Sequence, residues 1–371
     1  MEFFKIVYAV STLAGTIIGV GLFGLPYVTL KVGFWVMLGY FFVLTTVVIL
    51  VHSFFGELAL KTPDFKRLPG FAAIYLGNWG KLAAYLATIL GFFGALLAYL
   101  IVGGEFLTEL LSPYFGGNNL LYTLLYFFVG TALIFCGIKA IAKVEFWGLI
   151  LFFLILIAIF LNGQSLINFQ NLFIGNWNFE VGNLFLPYGV ILFSLWGAAL
   201  IPEVEEMLAP QKKHIKWIIP VSILIPAFVY LFFIYLILGI AGVHTTESAL
   251  GGLKAALGDG IVVLALIFGL LTTFTSFISL GLTLKKVFLY DLKLTKTLSF
   301  TITCFVPLIL FLAGLKSFIA VIGLVGGVML AVDGILILLM YNKIRPERKL
   351  IVYPLILVFL AGIVYSIIYF L

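Results

Sequence analysis

The segment STLAGTIIGVGLFGLPY, residues 11–27, is the most informative part of the sequence, because it is apolar enough to cross a membrane yet rich in helix breakers. Its breakers are Gly15, Gly19, Gly21, Gly24 and Pro26. In a helix in water, glycine costs about 1 kcal/mol relative to alanine, and proline costs about 3 kcal/mol. A helix that only fills a bilayer has no need of such residues. The pattern therefore predicts a membrane-spanning helix that is interrupted near its middle.

A second segment, LPYGVILFSLWGAALIPEVEEM at residues 186–207, has the same character. It contains Gly189, Ser194, Gly197 and Pro202. The spacing from Gly197 to Pro202 equals that from Gly21 to Pro26. Half-helices that end at a break expose N–H groups, which suit a carboxylate, and C=O groups, which suit an ammonium or a sodium ion. Together the two segments predict a site for a zwitterion such as an α-amino acid.

The composition extends the membrane prediction to the whole chain. Of its 371 residues, 64% are hydrophobic and 10% are charged, and the mean hydropathy is +1.27. Soluble domains are about 45–50% apolar and about 25% charged, and a spanning helix needs about 20 apolar residues. We expect an all-α, polytopic protein of the cytoplasmic membrane, with residues 1–371 as one transmembrane domain. The first apolar run is too long and too rich in glycine for a cleavable signal peptide.

Hydropathy and turn residues predict eleven membrane spans, two of which are the interrupted ones. The spans are residues 4–30, 34–60, 80–111, 119–138, 143–161, 183–208, 215–241, 258–290, 297–314, 317–341 and 350–370. With a cytoplasmic N-terminus, 18 of the 21 lysines and arginines lie on the cytoplasmic side, which predicts an outside C-terminus. The interrupted spans are the first and the sixth. We therefore expect five-plus-five inverted repeats at approximately 4–161 and 183–341, followed by an extra helix at 350–370.

Several other functions are disfavoured by the sequence. GVGLFG, residues 19–24, matches a dinucleotide-binding pattern but lies inside an apolar span, and no phosphate-binding GxxxxGK[ST] motif occurs. Cys136 and Cys304 are isolated, which argues against a disulfide framework or a zinc cluster. The net charge of +6 is scattered between the spans, which is a matter of topology rather than of nucleic-acid binding. His52 is the one histidine within the spans, so a membrane-embedded enzyme is not expected, and neither is a cofactor.

The two quoted regions support a resemblance to a known family. GTIIGVGLFGLPY at residues 15–27 and FSLWGAALIPEVEEML at residues 193–208 resemble amino-acid permeases of the amino acid–polyamine–organocation superfamily. The similarity is to the auxin/amino-acid permeases and to the aromatic (tryptophan/tyrosine) amino-acid permeases. It implies a leucine-transporter-type fold and secondary active import of amino acids by alternating access. Another amine or an organic cation as substrate, or a membrane protein that transports nothing, remains the alternative.

The resemblance also implies which residues contact the substrate between spans 1, 3, 6 and 8. The carboxylate is expected at the N–H groups of Gly19, Val20 and Gly21. The amine is expected at the carbonyls of Gly15, Thr16 and Ile17 and around Phe193 and Ser194. Trp196 and Gly197 complete the wall of this site. A competing interpretation of the first segment is helix packing, since Gly15 and Gly19 also form GxxxG, a motif for which Gly323 and Gly327 suggest packing alone.

The coupling ion is expected to be Na⁺ or H⁺. The resemblance implies a sodium site made of the carbonyls of Gly15 and Ile18 and the hydroxyls of Thr272, Thr275 and Ser276. These hydroxyls lie on one face of the stretch LTTFTSFISLGL, residues 271–282, and could instead bond to carbonyls of their own helix. The resemblance also implies that some proton-coupled relatives place a lysine of span 5 at this position, and span 5 has no lysine beyond Lys143 at its cytoplasmic end. Intramembrane carboxyl groups suggest roles in coupling or gating, and the candidates are Glu203, Glu105 and Asp333.

Overall fold

A computed structural model describes residues 2–63, 66–137, 141–174, 181–209, 212–253, 257 and 259–370, without the side chains of 2–4, 141–149, 181 and 259. Within these residues all regular structure is helical and no strand occurs. A helix bonds its own backbone groups internally, which is what a segment surrounded by lipid requires. The described structure therefore agrees with the all-α class predicted from composition.

Fourteen α-helices make up the described fold. They are α1 (Glu2–Ile17), α2 (Gly21–Val32), α3 (Phe34–Lys61), α4 (Leu68–Phe115), α5 (Asn119–Cys136), α6 (Ile141–Gly163), α7 (Leu186–Leu195), α8 (Ile201–Met207), α9 (Ile215–Ala241), α10 (Asp259–Lys286), α11 (Lys296–Leu312), α12 (Phe318–Leu324), α13 (Ala331–Ile344) and α14 (Lys349–Phe370). A π-helical segment, Val325–Leu330, joins α12 to α13, and another, Val287–Asp291, extends α10.

Many of these helices are long and apolar enough to cross a membrane. Eight candidate spans pass that test in the described residues, and the bent pair α1 and α2 adds a ninth. Two shorter apolar helices, Ile150–Leu166 and Lys296–Leu312, lie where the fifth and ninth spans are predicted. A multi-pass membrane protein is thereby confirmed. The count of eleven spans and the inverted repeat stay predictions.

The third predicted span differs from the structure at its start. Its helix begins at Leu68 rather than at residue 80, and Gly77 divides it with φ of 76° and ψ of −158°. Only glycine adopts this conformation readily, because it lacks a Cβ atom. The residues before Gly77 thus form a short helix of their own. The predicted span, which starts at residue 80, omits this helix, whose direction differs from that of the span because of the kink at Gly77.

Close helix packing around α7 depends on glycine. A Cβ atom on Gly189 would overlap the carbonyl of Gly323, and one on Gly326 would overlap the carbonyl of Gly189. The backbones of α7 and of the π-helical segment after α12 therefore touch directly. A Cβ atom on Gly327 would meet Ser366 of α14. The packing role predicted for the second GxxxG motif agrees with these contacts, which anchor the helix that leads into the second break.

Candidate functional site

The first span is broken, as predicted. α1 ends at Ile17 and α2 begins at Gly21, and the two helices meet at an angle of 54°. The intervening turn is closed by the N–H of Leu22, which donates to Gly19 O at 3.2 Å, and by the N–H of Phe23, which donates to Val20 O at 3.0 Å. The first N–H groups of α2 and the last C=O groups of α1 are those that a helix leaves without internal partners.

The sixth span is broken as well. α7 ends at Leu195 and α8 begins at Ile201. Between them Trp196 has an extended backbone with φ of −81° and ψ of 118°, and Ala198–Leu200 forms a single 3₁₀ turn. The interruption predicted for this segment is confirmed, and it lies at residues 196–200, well past Gly189.

The two breaks lie side by side, and glycine is what permits it. A Cβ atom on Gly21 would lie 2.5 Å from Ser194 Oγ and 2.9 Å from Ser194 Cα. A Cβ atom on Gly197 would lie 2.8 Å from Cγ1 of Ile17. The start of α2 therefore touches the end of α7, while the second break touches the end of α1. Four of the residues predicted for the substrate site are brought together in this way.

A buried tyrosine from α9 connects the two breaks. The Tyr230 hydroxyl lies 2.5 Å from Ile17 O and 2.9 Å from Ser194 O, and it is also within hydrogen-bonding reach of the Gly19 backbone. One hydroxyl has a single proton, so it donates to one carbonyl at a time. Tyr230 is fully buried. The sequence interpretation missed this residue, although the hydroxyl group of a buried tyrosine usually has a hydrogen-bond partner.

A histidine from α3 accepts a hydrogen bond from a backbone N–H group of the second break. Gly197 N donates to His52 Nε2 at 3.0 Å, and the imidazole meets the Trp196 indole edge to face, with ring centroids 4.8 Å apart. His52 is fully buried. The lone histidine among the predicted spans was noted in the sequence, but its bond to the break was not foreseen.

The other predicted substrate residues line or flank the first break. A Cβ atom on Gly19 would lie 3.1 Å from the Tyr99 hydroxyl, which places Tyr99 of α4 beside the break. Val20 is buried, Gly15 is half-buried, and Thr16 is exposed with its hydroxyl bonded to Thr12 O at 3.0 Å. Side chains of Phe193 and Trp196 are half-buried. Among the described residues, backbone groups and the aromatic side chains of Tyr99, Phe193 and Trp196 thus lie at or beside the two breaks.

The predicted sodium ligands lie on two separate elements. In α10, the Thr272 hydroxyl donates to Gly269 O at 3.0 Å, and the Thr275 hydroxyl donates to Thr272 O at 3.1 Å. α10 packs mainly against α4, α5 and α6, and α1 is not among its close neighbours in the described part of the chain. The hydroxyl bonds follow the alternative foreseen for this face. Since a donating hydroxyl keeps its lone pairs, the sodium site stays a prediction that includes Ser276, Gly15 and Ile18.

The three carboxyl candidates occupy different surroundings. Glu203 lies in the first turn of α8 near Arg67, and its Oε2 atom is buried without a partner among the described residues. Glu105 hydrogen-bonds Ser248. Asp333 is only 8% exposed, and its Oδ1 atom has no hydrogen-bond partner in the described structure. Within the described part of the chain, no hydrogen bond joins any of the three to residues 18–20 or 196–200, and Asp333 is the most deeply buried.

One known protein family matches nearly the whole chain. The model of the tryptophan/tyrosine permease family matches residues 4–368. No curated protein matches the chain in a direct comparison of sequences.

Two solved structures share the fold. Mhp1, a nucleobase-cation-symport-1 family transporter in a closed conformation with bromovinylhydantoin bound, is 14% identical with a TM-score of 0.65, over 97% of this chain and 90% of its own. MhsT in complex with L-phenylalanine is 16% identical with a TM-score of 0.59, over 98% of both chains. At these identities the likeness shows the fold alone, and it is that of leucine-transporter-type transporters. Because the family model spans nearly the whole sequence, this chain belongs to the tryptophan/tyrosine permease family.

Proposed function

We propose that the protein imports an amino acid across the cytoplasmic membrane by alternating access, driven by a gradient of Na⁺ or H⁺. The observation that carries the proposal is the contact between two broken helices. Gly21 touches Ser194, and Gly197 touches Ile17, so the end of α1, the start of α2, the end of α7 and the second break meet in one place. Such a place offers N–H groups to a carboxylate and carbonyl groups to an ammonium within one solute.

The proposed substrate is an aromatic amino acid, tryptophan or tyrosine. The family name supports this choice, and one structural neighbour was solved with L-phenylalanine bound. Aromatic side chains near the breaks offer matching surfaces, since Trp196, Phe193 and Tyr99 all lie there. Aromatic rings favour edge-to-face or offset contacts with one another. The alternative is another amine or an organic cation.

In the proposed complex, the carboxylate accepts hydrogen bonds from the N–H groups at Gly19–Gly21. The ammonium group donates to carbonyls at the end of α1 and at the end of α7. Each carbonyl oxygen has two lone pairs, so whichever of Ile17 and Ser194 accepts the Tyr230 proton can also accept from the substrate. Tyr230 therefore leaves both carbonyls available to the ammonium group.

Two routes to ion coupling follow from the proposal. Sodium would be held by the carbonyls of Gly15 and Ile18 with the hydroxyls of Thr272, Thr275 and Ser276, which are hard oxygen ligands. A proton would instead be carried by a buried carboxyl group, and Asp333 suits this role because one of its oxygen atoms is enclosed without a partner. Asp333→Asn removes the second route and leaves the first intact.

The proposed architecture contains eleven spans, with the N-terminus in the cytoplasm and the C-terminus outside. Five spans repeat in inverted orientation, so that the broken first and sixth spans are equivalent, and α14 is an additional helix. The positions of the two breaks support this arrangement, since each separates a longer half-helix from a shorter one near the middle of a span.

Uptake by the purified protein in proteoliposomes tests this function. We expect saturable uptake of L-tryptophan or L-tyrosine, driven by an imposed Na⁺ gradient or by an imposed pH gradient. A screen of the twenty amino acids under each gradient identifies the substrate and the ion. If none of them enters the vesicles faster than into protein-free vesicles under either gradient, the proposal is wrong.

A further inference from the structure

We infer that His52 is a positioning residue for the solute site, which it shapes by holding the N–H of Gly197 and the ring of Trp196. This inference rests on the proposed function, because it assigns a task within the same site. His52 belongs to α3, and it reaches the break from a helix that is not itself interrupted. Its two contacts are the 3.0 Å hydrogen bond from Gly197 N and the edge-to-face contact with Trp196.

The hydrogen bond fixes the protonation of the imidazole. Nε2 accepts the proton of the Gly197 N–H, so it carries a lone pair, and the proton of the neutral ring resides on Nδ1. Nδ1 is buried without a partner at ideal geometry, and the backbone of Val48, one turn earlier in α3, lies close enough to interact with it. The side chain thus acts as a neutral acceptor aimed at the break.

Burial makes the acceptor role of His52 important for the second break. The imidazole is fully buried, so loss of its Nε2 atom would leave the Gly197 N–H in an enclosed place without an acceptor. A buried donor that loses its partner costs far more than an exposed one. The break would then relax, and Gly197 could no longer stay against Ile17.

The bond also decides which break receives the carboxylate. The Gly197 N–H is already used by His52, so it is not available to a carboxylate. The second break therefore contributes carbonyl groups and the Trp196 ring rather than this N–H. His52 thus leaves the carboxylate to the first break, while the second break provides carbonyl groups.

Trp196 is oriented by two neighbours. His52 meets its indole at an interplanar angle of 81°, and Phe359 of α14 meets it at 87° with ring centroids 6.3 Å apart. Of the two, only His52 also bonds the adjacent residue of the backbone. A change at His52 therefore moves the backbone and the ring together, which alters the wall against which a substrate side chain would lie.

Three variants of His52 distinguish a role as hydrogen-bond acceptor from a role in packing alone. His52→Gln places an amide oxygen near the position of Nε2 and keeps the acceptor. His52→Asn is equally polar but too short to reach Gly197, and His52→Leu is apolar. The first readout is hydrogen–deuterium exchange of the peptide that covers residues 195–200 in detergent without substrate. The second is the KM and maximal rate of L-tryptophan uptake in proteoliposomes.

We expect faster exchange at residues 195–200 and a KM raised about tenfold in the Asn and Leu variants, and wild-type values in the Gln variant. Equal exchange and equal KM in all four proteins would overturn the inference. A uniform loss of thermal stability in all three variants, with KM unchanged in the folded fraction, would also overturn it. If wild-type protein takes up neither L-tryptophan nor L-tyrosine, the proposed function fails, and the exchange data still decide whether His52 holds the break.

Discussion

Gly21 has no room for a side chain, because a Cβ atom there would lie 2.9 Å from Ser194 Cα. Gly21→Ala should therefore push the two breaks apart and reduce L-tryptophan uptake at least about tenfold, since backbone atoms cannot move aside as a flexible side chain can. Gly39→Ala is the matched control, because a Cβ atom on Gly39 of α3 meets nothing within 4 Å. Uptake and thermal unfolding of both variants check the prediction. Equal activity in the two would contradict the contact between the breaks.

A second prediction at the level of single residues concerns the Tyr230 hydroxyl. Tyr230→Phe keeps the ring but removes the donor that lies between Ile17 O and Ser194 O. Leaving a buried acceptor unpaired costs about 1–3 kcal/mol, so we expect a lower melting temperature and a higher KM for uptake. Tyr235→Phe on the same helix is the control, since its ring faces Phe169 and Phe232 rather than a break. A wild-type KM in Tyr230→Phe would show that the bridge has no part in binding.

At the level of single elements, the breaks themselves could be predicted from sequence. Glycine and proline act locally, so residues 11–27 and 186–207 reveal their interruptions without any knowledge of neighbours. The groups that hold the breaks could not be found in this way. Tyr230 is 213 positions from Ile17, and His52 is 145 positions from Gly197, so only the packing of whole helices brings them together.

The boundaries and packing of the helices are likewise only partly predictable from the sequence. The helix of the third span begins at Leu68 and changes direction at Gly77. The change of direction depends on the backbone angles of this one residue, which hydropathy does not register. The packing of Gly189 against Gly323 is a further contact between distant segments. A GxxxG pattern predicts that a helix packs closely, but it does not say against which partner.

The hydroxyl face of α10 provides the test at the level of elements. In the sodium proposal, the double variant Thr272→Val and Thr275→Val removes two ligands while keeping the shape of the side chains. We expect uptake by this variant to lose its stimulation by Na⁺, measured as the initial rate against Na⁺ concentration. Thr283→Val is the control, since its hydroxyl also bonds its own helix, at Ser279 O, but lies farther along α10. Unchanged Na⁺ dependence in the double variant would show that these hydroxyl groups do not bind the coupling ion.

For the molecule as a whole, the distribution of cations predicts the orientation in the membrane. In this topology Lys213 faces the cytoplasm and Lys316 faces outward, and both side chains are exposed. Single cysteines at these positions, in a background with Cys136→Ala and Cys304→Ala, should differ in intact cells. A membrane-impermeant maleimide should label Lys316→Cys directly and Lys213→Cys only after permeabilisation. The reverse pattern would invert the topology.

Polar contacts join different helices near the two predicted ends of the bundle. At the predicted cytoplasmic end, Glu57 of α3 pairs with Arg345 at 2.7 Å and accepts from the Tyr341 hydroxyl at 2.8 Å. At the other end, Glu247 accepts from the Ser317 hydroxyl and from the N–H of Ile319, both at 3.2 Å. In the proposed alternating-access cycle, such contacts would open in turn, while the paired breaks would stay together as the proposed solute site.

Equilibrium binding of three related compounds tests most directly whether the paired breaks hold both ends of a zwitterion. Labelled L-tryptophan would be bound to the purified protein and displaced by unlabelled L-tryptophan, by tryptamine, which lacks the carboxylate, or by indole-3-propionate, which lacks the amine. Hydrogen bonds to charged groups are worth about 1.5–3 kcal/mol each, so we expect each analogue to bind at least about tenfold more weakly. Displacement by either analogue at the same concentration as L-tryptophan would contradict the account.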